Sequence, residues 1–128
     1  MRALGLMSGT SMDGVDVALI ETDGERLTSS GAVLTVPYSD GVRRQIRAAF
    51  GADEPNETTA AAEQAVTDAH VAAVKRWSQE SGVALTMLDV VGFHGQTITH
   101  RPERHFTWQI GDGAALAPIC QVKCRSGR

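Results

Sequence analysis

The chain has 128 residues, the length of one compact domain and too short for a two-lobed enzyme. Its 12 Lys and Arg against 15 Asp and Glu leave a formal net charge of −3, which argues against generic adhesion to nucleic acid or an anionic membrane. With 42% hydrophobic and 21% charged residues the composition is that of a folded domain, and no apolar run approaches the ~20 residues of a membrane span.

Residues 3–7 and 15–20 are apolar runs on either side of a Gly, Ser and Thr turn, and they predict a β-hairpin whose polar tip is residues 8–14. The second arm alternates and then meets Asp23-Gly24, a tight-turn dipeptide. A third strand is predicted over residues 31–36, closed by Pro37 and the Ser39-Asp40-Gly41 cluster. Residues 42–50 set Val42, Ile46, Ala49 and Phe50 among Arg43, Arg44 and Arg47, the pattern of a short amphipathic helix. Asn56 is suited to cap a long Ala-rich helix over residues 57–81, with Ala62, Val66, Ala69, Ala73, Val74 and Trp77 as its buried stripe and Gly82 as its stop. Residues 88–93 read as a buried strand running into His94-Gly-Gln-Thr97, and a second hairpin follows, with Pro102 in its connection and the alternating arm Phe106–Ile110. From Pro118 the chain is basic, has no acidic residue and fits neither period, so residues 118–128 are expected to fray. Cys120 and Cys124 both lie in that tail, so no disulfide staples the body and reduced thiols are expected.

Three stretches carry candidate chemistry. In the hairpin tip, Gly9 and Gly14 allow close backbone approach and Ser8, Thr10 and Ser11 add hydroxyls, as a phosphate cradle needs where Lys is scarce. Asp13 is a candidate Mg²⁺ ligand, because that ion prefers carboxylate and keeps most of its water. Neither familiar nucleotide loop is present, and by composition alone a polar turn with no ligand is the favoured reading. The second stretch, Phe93-His-Gly-Gln-Thr-Ile-Thr-His100, lies beyond the carboxyl end of a buried strand, where α/β sheets bind ligands. Gln96 and Thr97 suit a hydroxyl-rich substrate, and His94 either contacts it or braces the loop. His94, His100 and His105 lack the i, i+4 spacing of a helical metal site. In the third stretch, Gln109-Ile-Gly-Asp-Gly113, Asp112 reads on its own as an N-cap, with a site carboxylate as the alternative. Trp77 reads as core, and Trp108 as either core or a sugar platform.

Together, the run from Gly5 through Met7-Ser-Gly-Thr-Ser-Met-Asp-Gly14 to Ile20, the Gly92-Phe-His-Gly-Gln-Thr97 stretch and Gln109-Ile-Gly-Asp112 closely resemble the anhydro-N-acetylmuramic acid kinases of bacterial cell-wall recycling, over about residues 1–117. The resemblance implies an α/β fold: the N-terminal lobe of an actin-like ATPase, ribonuclease H-like, with a mixed sheet, an N-terminal β-hairpin and packed helices. It implies a cytoplasmic kinase that uses ATP and Mg²⁺ to phosphorylate 1,6-anhydro-N-acetylmuramic acid with hydrolytic ring opening. On matching positions Gly9, Thr10, Ser11, Met12, Asp13, Gly14, Val15 and Asp16 would line the ATP phosphates. His94, Gln96, Thr97 and Asp112 would lie at the sugar. The family's second lobe, with its adenosine pocket and catalytic aspartate, has no counterpart in this sequence. After Ala117 the resemblance stops in the basic tail, the kind of ending a truncation or frameshift leaves. The expectation is therefore a half-cleft without turnover on its own. The alternatives are a remnant that binds phosphate or sugar, or a dead fragment that self-associates through an uncovered apolar face.

Overall fold

The computed structural model describes residues 2–8, 12–22, 27–115 and 123–126. Two antiparallel strands, β1 (Arg2–Ser8) and β2 (Gly14–Thr22), form the expected hairpin, with Leu4 opposite Leu19 and Ser8 opposite Val15. Leu4, Leu6, Val15, Val17 and Leu19 are buried while Asp16 is exposed, so the period-2 pattern of the sequence selects the core face. β3 (Leu27–Pro37) pairs antiparallel with β2 and starts earlier than residue 31. The Ser- and Thr-rich residues 27–30 show no apolar alternation, and the β2 backbone ladder defines them instead.

The first helix, α1 (Asp40–Ala49), begins ahead of Val42 because Ser39 is its N-cap, accepting from the Val42 amide at 3.3 Å. α2 (Glu57–Ser81) has the predicted boundaries. Asn56 Oδ1 accepts from the Thr59 amide and Thr59 Oγ1 from the Asn56 amide, both at 2.9 Å, and Gly82 ends the helix at φ 75°. Its buried face includes Ala62, Val66, Ala73, Val74 and Trp77, and also Thr59, Thr67 and His70, which an apolar stripe does not reveal. Ala69 is half-buried.

β4 (Val90–Phe93) is shorter than residues 88–93 because the Leu88 amide turns back to the Leu85 carbonyl at 3.2 Å. It runs parallel to β1, and β7 (Lys123–Ser126) runs parallel to β4, giving the five-stranded order β3-β2-β1-β4-β7. Of the tail expected to fray, these four residues are a strand. The outer edge of β4 supplies hydrogen bonds whatever the side-chain period. Cys124 lies on this strand, and Cys120 lies outside the described residues. A second sheet pairs β5 (Gln96–Arg101) with β6 (Phe106–Ile110) and rests on the helices. The Gly51 amide donates to the Ile98 carbonyl at 2.9 Å and Thr99 Oγ1 to the Ala52 carbonyl at 2.6 Å. Among the described residues, the large apolar side chains that are exposed, Met7, Val33, Phe50 and Met87, are spread along the chain and lend no support to self-association through an apolar face.

Candidate functional site

The base of the hairpin tip is held by the segment that leads into α1. Met12 is buried at a left-handed φ of 57°, an unfavourable conformation for a residue with a Cβ. Its carbonyl accepts from Arg43 Nε at 3.2 Å, and the Asp13 carbonyl accepts from Arg43 Nη2 at 3.3 Å and from the Tyr38 amide at 3.1 Å. In a trans peptide N–H lies opposite C=O, so these bonds turn the Asp13 and Gly14 amides away from Arg43.

Of the phosphate set, Gly9, Thr10 and Ser11 lie outside the described residues. Met12 and Val15 bury their side chains in the core, and the Val15 backbone is laddered between β1 and β3. The Asp16 carboxylate is exposed and accepts from Thr35 Oγ1 at 2.6 Å. Gly14 is explained by β3, because a Cβ there would lie 2.3 Å from the Val36 carbonyl oxygen. Asp13 is exposed, and among the described residues no group of three or more His, Cys, Asp or Glu gathers to hold a metal. A single exposed carboxylate nonetheless suits Mg²⁺, which keeps most of its water.

Where β1 ends, a cleft of about 220 Å³ opens between the two sheets, lined by Met7, Ser8, His94, Gly95, Thr97 and Gln109. Two of the sequence-derived sugar residues, His94 and Thr97, meet in it. Gln96 does not present an open amide: it is fully buried behind the wall, with Oε1 accepting from Ser8 Oγ and Nε2 donating to the Thr97 carbonyl at 3.0 Å. Asp112 is not among the lining residues. Its Oδ1 accepts from the Ala114 amide at 3.1 Å and caps the short helical turn Gly113–Ala115. Gln109, which the sequence reading leaves without a role of its own, faces the cleft beside Thr97, to whose Oγ1 its Nε2 donates at 3.3 Å. The β6 alternation carries that signal, since Gln109 lies opposite in pleat to Phe106, Trp108 and Ile110. Trp108 is half-buried and lines a separate apolar hollow of about 260 Å³ with Asp53, Pro55, Phe106 and Thr107.

Helix α2 locks the third motif from behind. Glu63 Oε2 accepts from the Gly111 amide at 3.2 Å and Thr67 Oγ1 from the Asp112 amide at 2.9 Å. One turn on, His70 is buried with Nδ1 2.7 Å from the Val66 carbonyl and its ring edge-on to Phe93 at 4.7 Å. Burial lowers its pKa, opposed in part by the bond to Val66. Tyr38, also buried, donates from its hydroxyl to Ser8 Oγ at 2.7 Å, and burial raises its pKa, opposed by that bond. Tyr38, Arg43, Glu63, Thr67 and His70 carry no motif signal, because their roles exist only once α1 and α2 are docked.

The molecule is thus an α/β domain with a cleft at the ends of its central strands, beside the base of an N-terminal hairpin tip. The family model for anhydro-N-acetylmuramic acid kinase matches residues 1–125, past Ala117 and into β7, and the chain belongs to that family. Relatives named anhydro-N-acetylmuramic acid kinase include one from Rhizorhabdus wittichii, 52% identical over 96% of this chain and 35% of the relative. Others come from Rhodopseudomonas palustris, 46% identical over 95% of this chain and 35% of the relative, and Zymomonas mobilis, 46% identical over 95% and 36%. The chain therefore spans about a third of the length of the curated relatives it matches. Among the described residues no helix is long and apolar enough to cross a membrane.

Proposed function

We propose that this chain serves the reaction of its family: 1,6-anhydro-N-acetylmuramic acid, water and ATP give N-acetylmuramic acid 6-phosphate and ADP. Water attacks the anomeric carbon, the C1–O6 bond breaks, and O6 takes the γ-phosphoryl group while a base accepts the proton from water. One observation carries the reading. Ser8 is both the last residue of β1 before the tip and a wall of the cleft holding His94 and Thr97, so a sugar in the cleft lies beside a phosphate held at the tip.

In this reading residues 9–16 line the ATP phosphates, and Asp13 holds Mg²⁺ largely through water. The ion would neutralise phosphate charge. His94 and Thr97 contact the sugar, Gln96 fixes the wall behind them, and Asp112 orders the neighbouring turn. The mixed sheet, opened by an N-terminal hairpin and packed against α2, supports the reading as the lobe of an actin-like ATPase, and a cytoplasmic place of work belongs to the same proposal. No residue of this chain is assigned as the base or the adenosine pocket, so binding without turnover is expected from it. Titration of the ¹⁵N-labelled 128-residue chain with the anhydro sugar and Mg·ATP tests this. Shifts are expected at the His94 and Thr97 amides with sugar and at Asp13 and Gly14 with nucleotide, and no sugar 6-phosphate in the ³¹P spectrum. Cleft amides that ignore millimolar sugar would sink the sugar assignment, and phosphorylated product would sink the absence of turnover.

A further inference from the structure

The hydroxyl of Ser8 reads most simply as a donor in the phosphate cradle, since it directly precedes the tip. The hydrogen bonds around it lead elsewhere. The Thr97 carbonyl can only accept, so the Gln96 amide must turn its NH₂ toward it, at 3.0 Å. That orientation leaves Gln96 Oε1 facing Ser8, and an amide oxygen can only accept, so Ser8 spends its single proton on Gln96. Ser8 then has none left for Tyr38, and the Tyr38 hydroxyl must donate to Ser8 Oγ, at 2.7 Å. A hydroxyl has one proton and two lone pairs. Its proton is used, one lone pair is taken by Tyr38, and what remains at this half-buried wall of the cleft is one lone pair.

We infer that Ser8 belongs to the sugar side of the site as an obligate acceptor, held in that state by Tyr38 as a positioning residue, and that it reads a neutral O–H or N–H donor of the ligand. An anionic phosphate oxygen finds no donor there. Burial keeps the Tyr38 phenol protonated, and hence donating, throughout the ordinary pH range. The inference rests on the sugar reading above and narrows it, because the anhydro sugar offers two neutral donors, its 4-hydroxyl and its acetamido N–H.

The test is calorimetric titration of the full chain and of Ser8→Ala, Ser8→Thr and Tyr38→Phe with three ligands. These are the anhydro sugar, its 4-deoxy analogue and the analogue with an acetoxy group replacing the acetamide. One of the two analogues is expected to lose about tenfold in affinity for the wild-type chain, the size of one net hydrogen bond. Ser8→Ala should lose about the same for the parent sugar and nothing further for that analogue. Ser8→Thr, which keeps the hydroxyl, should restore the discrimination. Tyr38→Phe should weaken the parent sugar only a few-fold, since Ser8 keeps its lone pairs and loses the bond that aims them. Affinity for Mg·ATP should be unchanged by Ser8→Ala. Equal analogue penalties in the wild-type and Ser8→Ala chains, or a loss confined to Mg·ATP, would overturn the assignment of Ser8 while leaving the sugar site standing. A wild-type chain that binds none of the three sugars would overturn the sugar reading and this inference with it.

Discussion

Replacing Gly95 by Ala separates two kinds of backbone demand at the wall of the cleft. Gly95 has φ +76°, and a left-handed residue with a Cβ costs about 1–2 kcal/mol. The added Cβ would also lie 2.3 Å from the Ile110 carbonyl oxygen and 3.1 Å from its carbon, both backbone atoms. Ile110 is the β6 partner of Gln96, so relief requires the first rung of the β5–β6 ladder to move, an overpacking cost of about 1–3 kcal/mol. The expected total is about 2–5 kcal/mol, a large fraction of a domain's stability. Gly82→Ala is the control: φ is +75°, but nothing lies within 4 Å of its Cβ position, so it carries only the conformational cost of about 1–2 kcal/mol. Urea unfolding followed by circular dichroism and by the fluorescence of Trp77 and Trp108 measures both, with an unchanged m-value required for the comparison. If Gly95→Ala costs no more than Gly82→Ala, the close approach of Gly95 to Ile110 is not a constraint and the packing argument for this turn is wrong.

Burial holds the His70 pKa below its ordinary value, so the unfolded chain takes up a proton there more readily than the folded one. Stability from this group is complete above about pH 6.5 and falls as pH drops below it, by at most about 1.4 kcal/mol per pH unit. Urea unfolding at pH 7.5 and 5.5 should show a shallower loss in His70→Leu, and an equal loss in both chains would contradict the assignment. Arg43→Met removes two donors from the Met12 and Asp13 carbonyls and should cost about 1–2 kcal/mol, discounted for partial exposure, with Arg43→Lys recovering part. The same unfolding assay decides it, and a cost under about 0.3 kcal/mol would mean that the Tyr38 amide and the buried Met12 side chain hold the strained turn without Arg43.

The motifs were legible as stretches before they were legible as sites. His94 and Thr97 fall in the cleft because both follow the end of β4, a placement the apolar run of residues 88–93 already implied. Gln96 stands in the same stretch and lies behind the wall. The Gly95 turn and the start of β5 send its side chain into the interior, and a sequence of alternating polar residues does not say which face is covered. The glycines show the same division. Gly14 reads as a ligand-approach glycine in its motif, and Gly111 stands in the third stretch beside Asp112. In the fold a Cβ at Gly14 would meet the Val36 carbonyl and one at Gly111 would meet the Phe93 ring, so packing alone accounts for them.

What the sequence determined by itself was local and periodic. The period-2 arms of the first hairpin, the boundaries of α2 with Asn56 and Gly82 at its ends, and the short helix rich in Arg follow from backbone propensity and from which residues must leave water. Tertiary structure decided the wiring. It placed β7 on β4, put Tyr38 between the hairpin tip and the cleft, and set Glu63, Thr67 and His70 behind Gly111, Asp112 and Phe93. Those contacts join residues far apart in the chain, and they form only after the strands and helices pack, which no local pattern displays.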